Sequence, residues 1–579
     1  MALPVVSALM KNKKNKPALV LTLSSAGLLI GGGVAAYWLL TQGQPFARDL
    51  PVGANIIPQD ALFTVSLSTD PGQWQKFREL GTKETQVELD KNLVQLRDRF
   101  LTNNGYDFQK HISPWVGEQV TIAILAPEAT KPAPNPVATD GSSVMNQQSL
   151  VVVLPIKNPE RAKSILAQPK ALKQGKWIDR TYKGIAIKET DSTSTESLST
   201  AVLDGRFLIV TDSPKTTERA ITAYKNKTTL SKTAGFTDNF PKIATYQPFA
   251  QFYVNVPYSA KIAAASGNRH LPAQVLAQLQ NNQGLAGSIT LESQGIRIKG
   301  ISWLNPNGQR VLAVDNKAGN MQKRVPAETL MMLSGGNLQQ LWKDYVSTSQ
   351  GNPLSPFPPE QLRAGVKSLI NLDLEDDLLS WMGNEFSVSV IPSSPKNGLS
   401  DDFRASLVFM VRTSDRDRAE ASLKQIDEVM KTQYQFQIQQ KTVAGKPVVN
   451  WIGTSGILTA THGWLDEDVA FLAFGAPVSD KIIPKPSNTL ASTPQFRETV
   501  PSEPDPTNGH FFLDVERTAK NFPLPTLLPN QQLLLSATRS IGVTTAVSDS
   551  RSNRYNIFLA LKKTKGVAPL PSPSIRGEE

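Results

Sequence analysis

Cysteine is missing from all 579 residues. Disulfides, thiolate metal sites and cysteine nucleophiles are excluded with it. The chain holds only four histidines, His111, His270, His462 and His510, and neither metal-ligand spacing nor a nucleophile signature surrounds them. Ser334-Gly335-Gly336-Asn337 lacks the lysine that a phosphate loop requires, and Gly31 to Gly33 lie inside an apolar run. Concentrated basic patches are also missing: four of the charges behind the net +11 are Lys11, Lys13, Lys14 and Lys16, and the surplus beyond Leu40 is spread over a long body. Nucleic acid is therefore not an expected partner. The reading assigns no catalytic, cofactor-binding or metal residues, and expects no cofactor and no enzyme activity.

What is present begins with Ala18 to Leu40, ALVLTLSSAGLLIGGGVAAYWLL, an uncharged apolar run. About 23 residues at 1.5 Å rise make roughly 34 Å of helix, enough to cross a hydrocarbon core of about 30 Å. The lysines before it put residues 1–17 in the cytoplasm by the positive-inside rule, with Tyr37 and Trp38 at the far interface. The run is too long for a signal peptide, and Thr41 to Arg48 offers no small-x-small cleavage site. The expectation is a single-pass anchor over 18–40, a linker over 41–50, and a body in the periplasm or a thylakoid lumen. Gly27 and Gly31 form a GxxxG, a spacing equally ordinary in membrane helices.

The body reads as one unit written twice. Pro58, Leu62, Trp74 and Phe77 match Pro326, Leu330, Trp342 and Tyr345 at one offset, 268 residues (342 − 74). Asp107, Trp115 and Gly117 match Asp373, Trp381 and Gly383 at 266 (381 − 115). Leu150, Arg161, Ala162 and Leu166 match Leu407, Arg418, Ala419 and Leu423 at 257 (407 − 150), and Gln251 to Val256 matches His510 to Val515. Offsets drift where loops differ, as insertions collect at the surface. Two tandem copies are expected, over 51–318 and 319–565, with a disordered tail over 566–579. Pro127 to Gln148 and Ser192 to Ser199 read as mobile loops.

Within each copy, strands alternate with helices. Ala61 to Leu67 alternates apolar and polar residues, a half-buried strand. Asp70 and Pro71 give an N-cap and a first-turn proline leading to Trp74 and Phe77. Leu89, Leu93, Leu96 and Phe100 share a helix face, and Asp204-Gly205 is a hairpin turn. The expected fold class is α+β: one transmembrane helix followed by two homologous repeats with mixed or antiparallel sheets.

The acidic run Asp373, Glu375, Asp376 and Asp377 lacks the glycine and distal glutamate of a calcium loop, and reads as a helix start. Asp466, Glu467 and Asp468 read as a solvated hairpin tip. The tryptophan pairs, Trp74 with Trp342 and Trp115 with Trp381, read as core, with a pocket lining as the alternative.

On the anchor, the I-P-x-D-A-L opening at Ile57 to Leu62 and the W-V-G step at Trp115 to Gly117, the chain resembles the domain of unknown function 3352 family, uncharacterised membrane-anchored proteins found chiefly in cyanobacteria. The resemblance implies a bacterial envelope or thylakoid setting and carries no activity or site residues. The leading expectation for function is a non-catalytic scaffold that binds other envelope or thylakoid proteins. The alternatives are a carrier or sensor of an apolar ligand held between the two repeats, and an enzyme of unfamiliar type.

Overall fold

The structure, a computed structural model, describes residues 50–100, 107–126, 149–166, 176–191, 197–259, 282–308, 310–313, 317–349, 358–393, 405–522, 531–564, 566 and 570. Short runs with alternating burial build its strands, because successive side chains point to opposite faces. The first ten are β1 (Ala61–Ser68), β2 (Gln119–Leu125), β3 (Ser149–Pro155), β4 (Trp177–Tyr182), β5 (Ile185–Thr190), β6 (Ser199–Leu203), β7 (Phe207–Thr211), β8 (Ala250–Asn255), β9 (Asn282–Glu292) and β10 (Gly295–Leu304). The second ten are β11 (Met331–Gly335), β12 (Phe386–Pro392), β13 (Ala405–Arg412), β14 (Gln437–Val443), β15 (Lys446–Ile452), β16 (Leu458–Trp464), β17 (Val469–Gly475), β18 (Gly509–Asp514), β19 (Thr538–Asp549) and β20 (Ser552–Leu561).

Among the described residues all the pairings are antiparallel and join the strands into one 20-stranded sheet. Neighbours run β4-β5-β6-β7-β3-β2-β1-β8-β9-β10 through the first half. They continue β20-β19-β18-β11-β12-β13-β17-β16-β15-β14 through the second. The join is β10 against β20, where Lys299 faces Asn556, 257 residues on (556 − 299). The same interval separates Glu292 from Asp549 (549 − 292) at the two hairpins that lead into these strands. The central pair therefore relates each half of the sheet to the other by an approximate two-fold, and the second ten strands pair among themselves as the first ten do.

This corrects the expected fold class. Residues 51–318 and 319–565 do not form separate α+β bodies behind a membrane helix; they share one continuous antiparallel sheet. The physical reason is the edge: β10 and β20 would each expose a row of unpaired backbone groups, and pairing them removes both. The expected single-pass location is corrected too. Among the described residues no helix is long and apolar enough to cross a membrane. The longer ones, such as KETQVELDKNLVQLRDRF over Lys83–Phe100, carry charge along their length. Ala18 to Leu40, on which the anchor and the periplasmic or lumenal placement rested, lie outside the described residues, as do 1–17, Pro127 to Gln148 and almost all of the tail.

The helices that matter below are α1 (Pro71–Glu79), α2 (Lys83–Phe100), α3 (Pro214–Asn226), α4 (Leu338–Ser349), α5 (Pro359–Ile370) and α6 (Arg416–Thr432). Asp70 caps α1 by accepting from the Gly72 amide at 2.8 Å, with Pro71 in the first turn. Trp74 and Phe77 of α1 then pack on one sheet face with Val65, Leu67, Phe252 and Ile289. On the opposite face α3 sets Ala220 and Ile221 against Val151, Val153, Tyr253 and Trp303. Each such large side chain contributes on the order of 1.5–3 kcal/mol by leaving water. In the second half Met332, Val408, Phe471 and Phe512 form the core on the face equivalent to that under α3. The Asp204-Gly205 turn takes left-handed φ at both residues, 56° and 63°, the geometry a two-residue hairpin needs.

Candidate functional site

The other face of the second half holds a cavity of about 590 Å³. Its floor is the sheet: Phe409 on β13, Trp451 on β15, and Leu472 and Phe474 on β17. Cross-strand pairing puts Phe409 opposite Leu472, so both point the same way. The roof is α6, whose Leu423, Ile426 and Met430 follow Ala419 at helical spacing and form one apolar stripe. The end of α5 and the turn through Leu374, Leu378 and Trp381 close one side. Every lining side chain is aliphatic or aromatic, and the hydroxyl of Tyr434 donates to the Leu369 carbonyl at 2.9 Å. Leu369 is 59% exposed and Phe474 42%, which marks the mouth.

Two polar contacts fix the roof, one to the floor and one to the turn that closes the side. Asp427 of α6 accepts on one oxygen from the Trp451 indole N–H at 2.7 Å and lies 2.8 Å from Nε2 of His462. Trp451 and His462 are buried, and their rings meet edge to face. At the other end of the helix, Ser422 donates to the Asp377 carbonyl at 2.7 Å, and the Trp381 indole reaches the same carbonyl at 3.1 Å and Ser422 Oγ at 3.2 Å. The roof is thus tied by hydrogen bonds to strand and turn, above an interior that offers no hydrogen-bonding partner. Water gains little there, and an apolar guest gains contact and sheds its own hydration.

A second recess, of about 430 Å³, is polar. Its acids and bases are largely matched to each other, Asp514 with Arg517 at 2.6 Å and Glu516 with Lys520 at 3.5 Å.

The residues singled out in the sequence fall in several places. Trp74, Trp115 and Trp381 are buried core, and Trp381 also lines the cavity, so both readings of that pair hold for it. Trp342 departs from its counterpart Trp74. The indole of Trp74 donates to the Ser68 carbonyl at 3.0 Å, whereas that of Trp342 donates to the Glu375 carboxylate at 2.9 Å, with Arg363 and Tyr345 beside its ring. Asp373 accepts from the Glu375 and Asp376 amides at 2.9 Å, the helix start expected of it. Asp466 is more than a solvated tip: burial pushes its carboxyl up, but the Arg324 and Lys446 cations outweigh that and hold it below the usual range. His111 caps within its own turn, taking the Asp107 amide on Nδ1 at 2.8 Å. His510 lies on β18 with its Nδ1 buried and unbonded. His270 and Gly31 to Gly33 lie outside the described residues. Among the described residues no group of three or more histidines and carboxylates is placed to hold a metal ion.

Sequence reasoning missed Leu423, Ile426, Met430, Phe409 and Phe474. Ala419, Leu423, Ile426 and Met430 fall at helical spacing in the sequence, but that spacing is the same whether or not a cavity lies beneath the helix.

A family model described as "Protein of unknown function (DUF3352)" matches residues 22–561, and the chain belongs to that family. No curated protein matches the chain in sequence. Among solved structures, crystal form I of TP0453 aligns at a TM-score of 0.23 with 11% identity, over 44% of this chain and 79% of that one. Crystal form IV aligns at 0.23 with 10% identity, over 44% and 81%. Likeness this loose carries no argument.

Proposed function

We propose that this DUF3352 protein is a non-catalytic binding protein for an apolar molecule held in the cavity beneath α6. The observation that carries the reading is the cavity itself, a recess of about 590 Å³ with a wholly apolar lining. Ligand pockets commonly fall between about 300 and 1,000 Å³. An apolar cavity of about 150 Å³ accommodates one benzene ring, so this one has room for on the order of twenty carbon atoms. Its lining has no carboxylate, imidazole, serine or lysine side chain, which supports binding over catalysis. Of the two expectations weighed for a non-enzyme, the carrier gains over the protein scaffold, with one change. The site belongs to the second half alone, bounded by residues 338 to 474, and does not lie between the halves.

The test is saturable binding of N-phenyl-1-naphthylamine to the full chain, read by its fluorescence gain. Leu423→Trp fills the space from the half-buried roof and should weaken binding at least tenfold while the far-ultraviolet circular dichroism is kept. A variant that binds as the wild type does, or a wild type that shows no saturable site, defeats the reading.

A further inference from the structure

The cavity floor does not end at its mouth. Phe474 sits directly opposite Leu407 on β13. From Leu407 the cross-strand neighbours on the same face are Val390, Met331, Leu513, Ile541 and Leu559 in unbroken succession. A second row, two residues along each strand, runs from Phe409 through Leu333 to Ile557 and is equally apolar. Strands stand about 4.8 Å apart, so the strip from β17 to β20 crosses six gaps and is roughly 29 Å long. Two rows about 7 Å apart make it little wider than one hydrocarbon chain.

This strip is open. Leu407 is 46% exposed and Leu333 42%, and the other members of the first row are half-buried. The corresponding surface of the first half is covered along the second row: Val65 and Phe252, the counterparts of Leu333 and Phe511, are 7% and 9% exposed beneath Trp74, Phe77 and Phe249. Phe63 and Val254, the counterparts of Met331 and Leu513, are half-buried like them. The difference follows the tryptophan. In the first half it is buried on the sheet, with Phe249 at 4.3 Å between ring centroids; in the second, Trp342 is half-buried in the cluster that holds Phe409, donates to Glu375 and has Arg363 beside its ring. A contiguous apolar surface of this kind signals an occupant.

Resting on the reading of the cavity as a ligand site, we infer that the ligand is a two-chain phospholipid drawn from a bilayer. One acyl chain fills the cavity and the second lies along the strip, and the glycerol and headgroup stay at the mouth between Leu369 and Phe474. The cavity has room for one chain of some twenty carbons and not for two. Each leaflet of a hydrocarbon core about 30 Å thick is about 15 Å deep, so one extended chain fits within the strip. Continuity of the two surfaces at Phe474 lets the two chains diverge from a single headgroup.

The experiment incubates the full chain with dioleoyl phosphatidylcholine vesicles or with oleate, isolates the protein by gel filtration, and measures retained lipid by mass spectrometry alongside the affinity for each. The expected result is one phospholipid per chain. Leu333→Lys, and separately Leu407→Ser as a milder change at an exposed site, should lower the ratio of phospholipid to oleate affinity at least tenfold. Leu423→Trp should reduce both. If the strip variants leave that ratio unchanged, or phospholipid is not retained while oleate is, the two-chain inference is overturned and the cavity reading stands. If neither lipid nor the naphthylamine probe binds, the cavity reading itself has failed. A protein partner that is lost with Leu333→Lys while phospholipid retention is unaffected also overturns the inference, since the strip then serves docking.

Discussion

Asp427 is the sharpest test of how the roof of the cavity is fixed to its floor. Its Oδ1 accepts from the Trp451 indole at 2.7 Å and contacts His462 Nε2 at 2.8 Å, while its own side chain is 18% exposed. Trp451 is 3% exposed and His462 5%, so neither can turn to water when the carboxylate is removed. Each buried donor left without an acceptor costs about 1–3 kcal/mol. Asp427→Ala strands two, and should lower stability by about 3 kcal/mol, whereas Asp427→Asn keeps a carbonyl acceptor and should cost about half of that. Pairing Asp427→Ala with Trp451→Phe removes one stranded donor, so the double variant should lose less than the sum of the single ones by about 1 kcal/mol. Urea unfolding followed by circular dichroism supplies the free energies, and amide exchange along α6 shows whether the roof loosens locally. Equal losses for Ala and Asn, or strict additivity with Trp451→Phe, would refute the claim that this contact pins roof to floor.

Three further expectations concern the frame. Burial drives the His510 imidazole below its usual value although Glu385 pulls the other way. The unfolded chain then binds the proton more readily, and stability should fall as pH drops through about 6.5; His510→Gln, which places there the residue type found at Gln251 in the first half, should flatten that fall in urea midpoints taken from pH 8 to 5. A Cβ at Gly542 would stand 2.3 Å from the Thr499 carbonyl oxygen, whereas one at Gly365 in α5 would meet open space. Gly542→Ala should therefore destabilise by about 2 kcal/mol or more and Gly365→Ala should stabilise by about 0.5–1 kcal/mol, both read from thermal unfolding. The Lys242 to Asp549 contact at 3.0 Å bridges the halves but is substantially exposed, and Asp549 keeps Ser552 and the Arg551 amide. Lys242→Ala should cost less than about 1 kcal/mol, and a larger loss would show that the halves depend on it.

Much of the local structure was legible because it depends on neighbours in the chain. The cap at Asp70, the turn at Asp204-Gly205, the helix start at Asp373 and the strand at Ala61 follow from side chains within a few residues of one another. The burial of Trp115 and Trp381 also followed, since a large aromatic flanked by aliphatics has few other stable places. The candidate site was much less legible. Trp74 and Trp342 occupy matching positions, yet one is buried with its indole on the Ser68 carbonyl and the other is half-buried with its indole on a carboxylate supplied by Glu375, 33 residues further along the chain.

By itself the order of residues determined the strands, the caps and the matching series between the halves, because pattern and turn chemistry act over short distances. Only the tertiary structure decided that β10 meets β20 to make one sheet, and that an apolar cavity lies between α6 and β13, β15 and β17. Both outcomes turn on which distant surfaces remain unpaired once the local elements exist. Backbone edges seek each other across 257 residues (556 − 299), and α6 is tied to the sheet through Asp427 and to the neighbouring turn through Ser422, by partners scattered from Asp377 to His462.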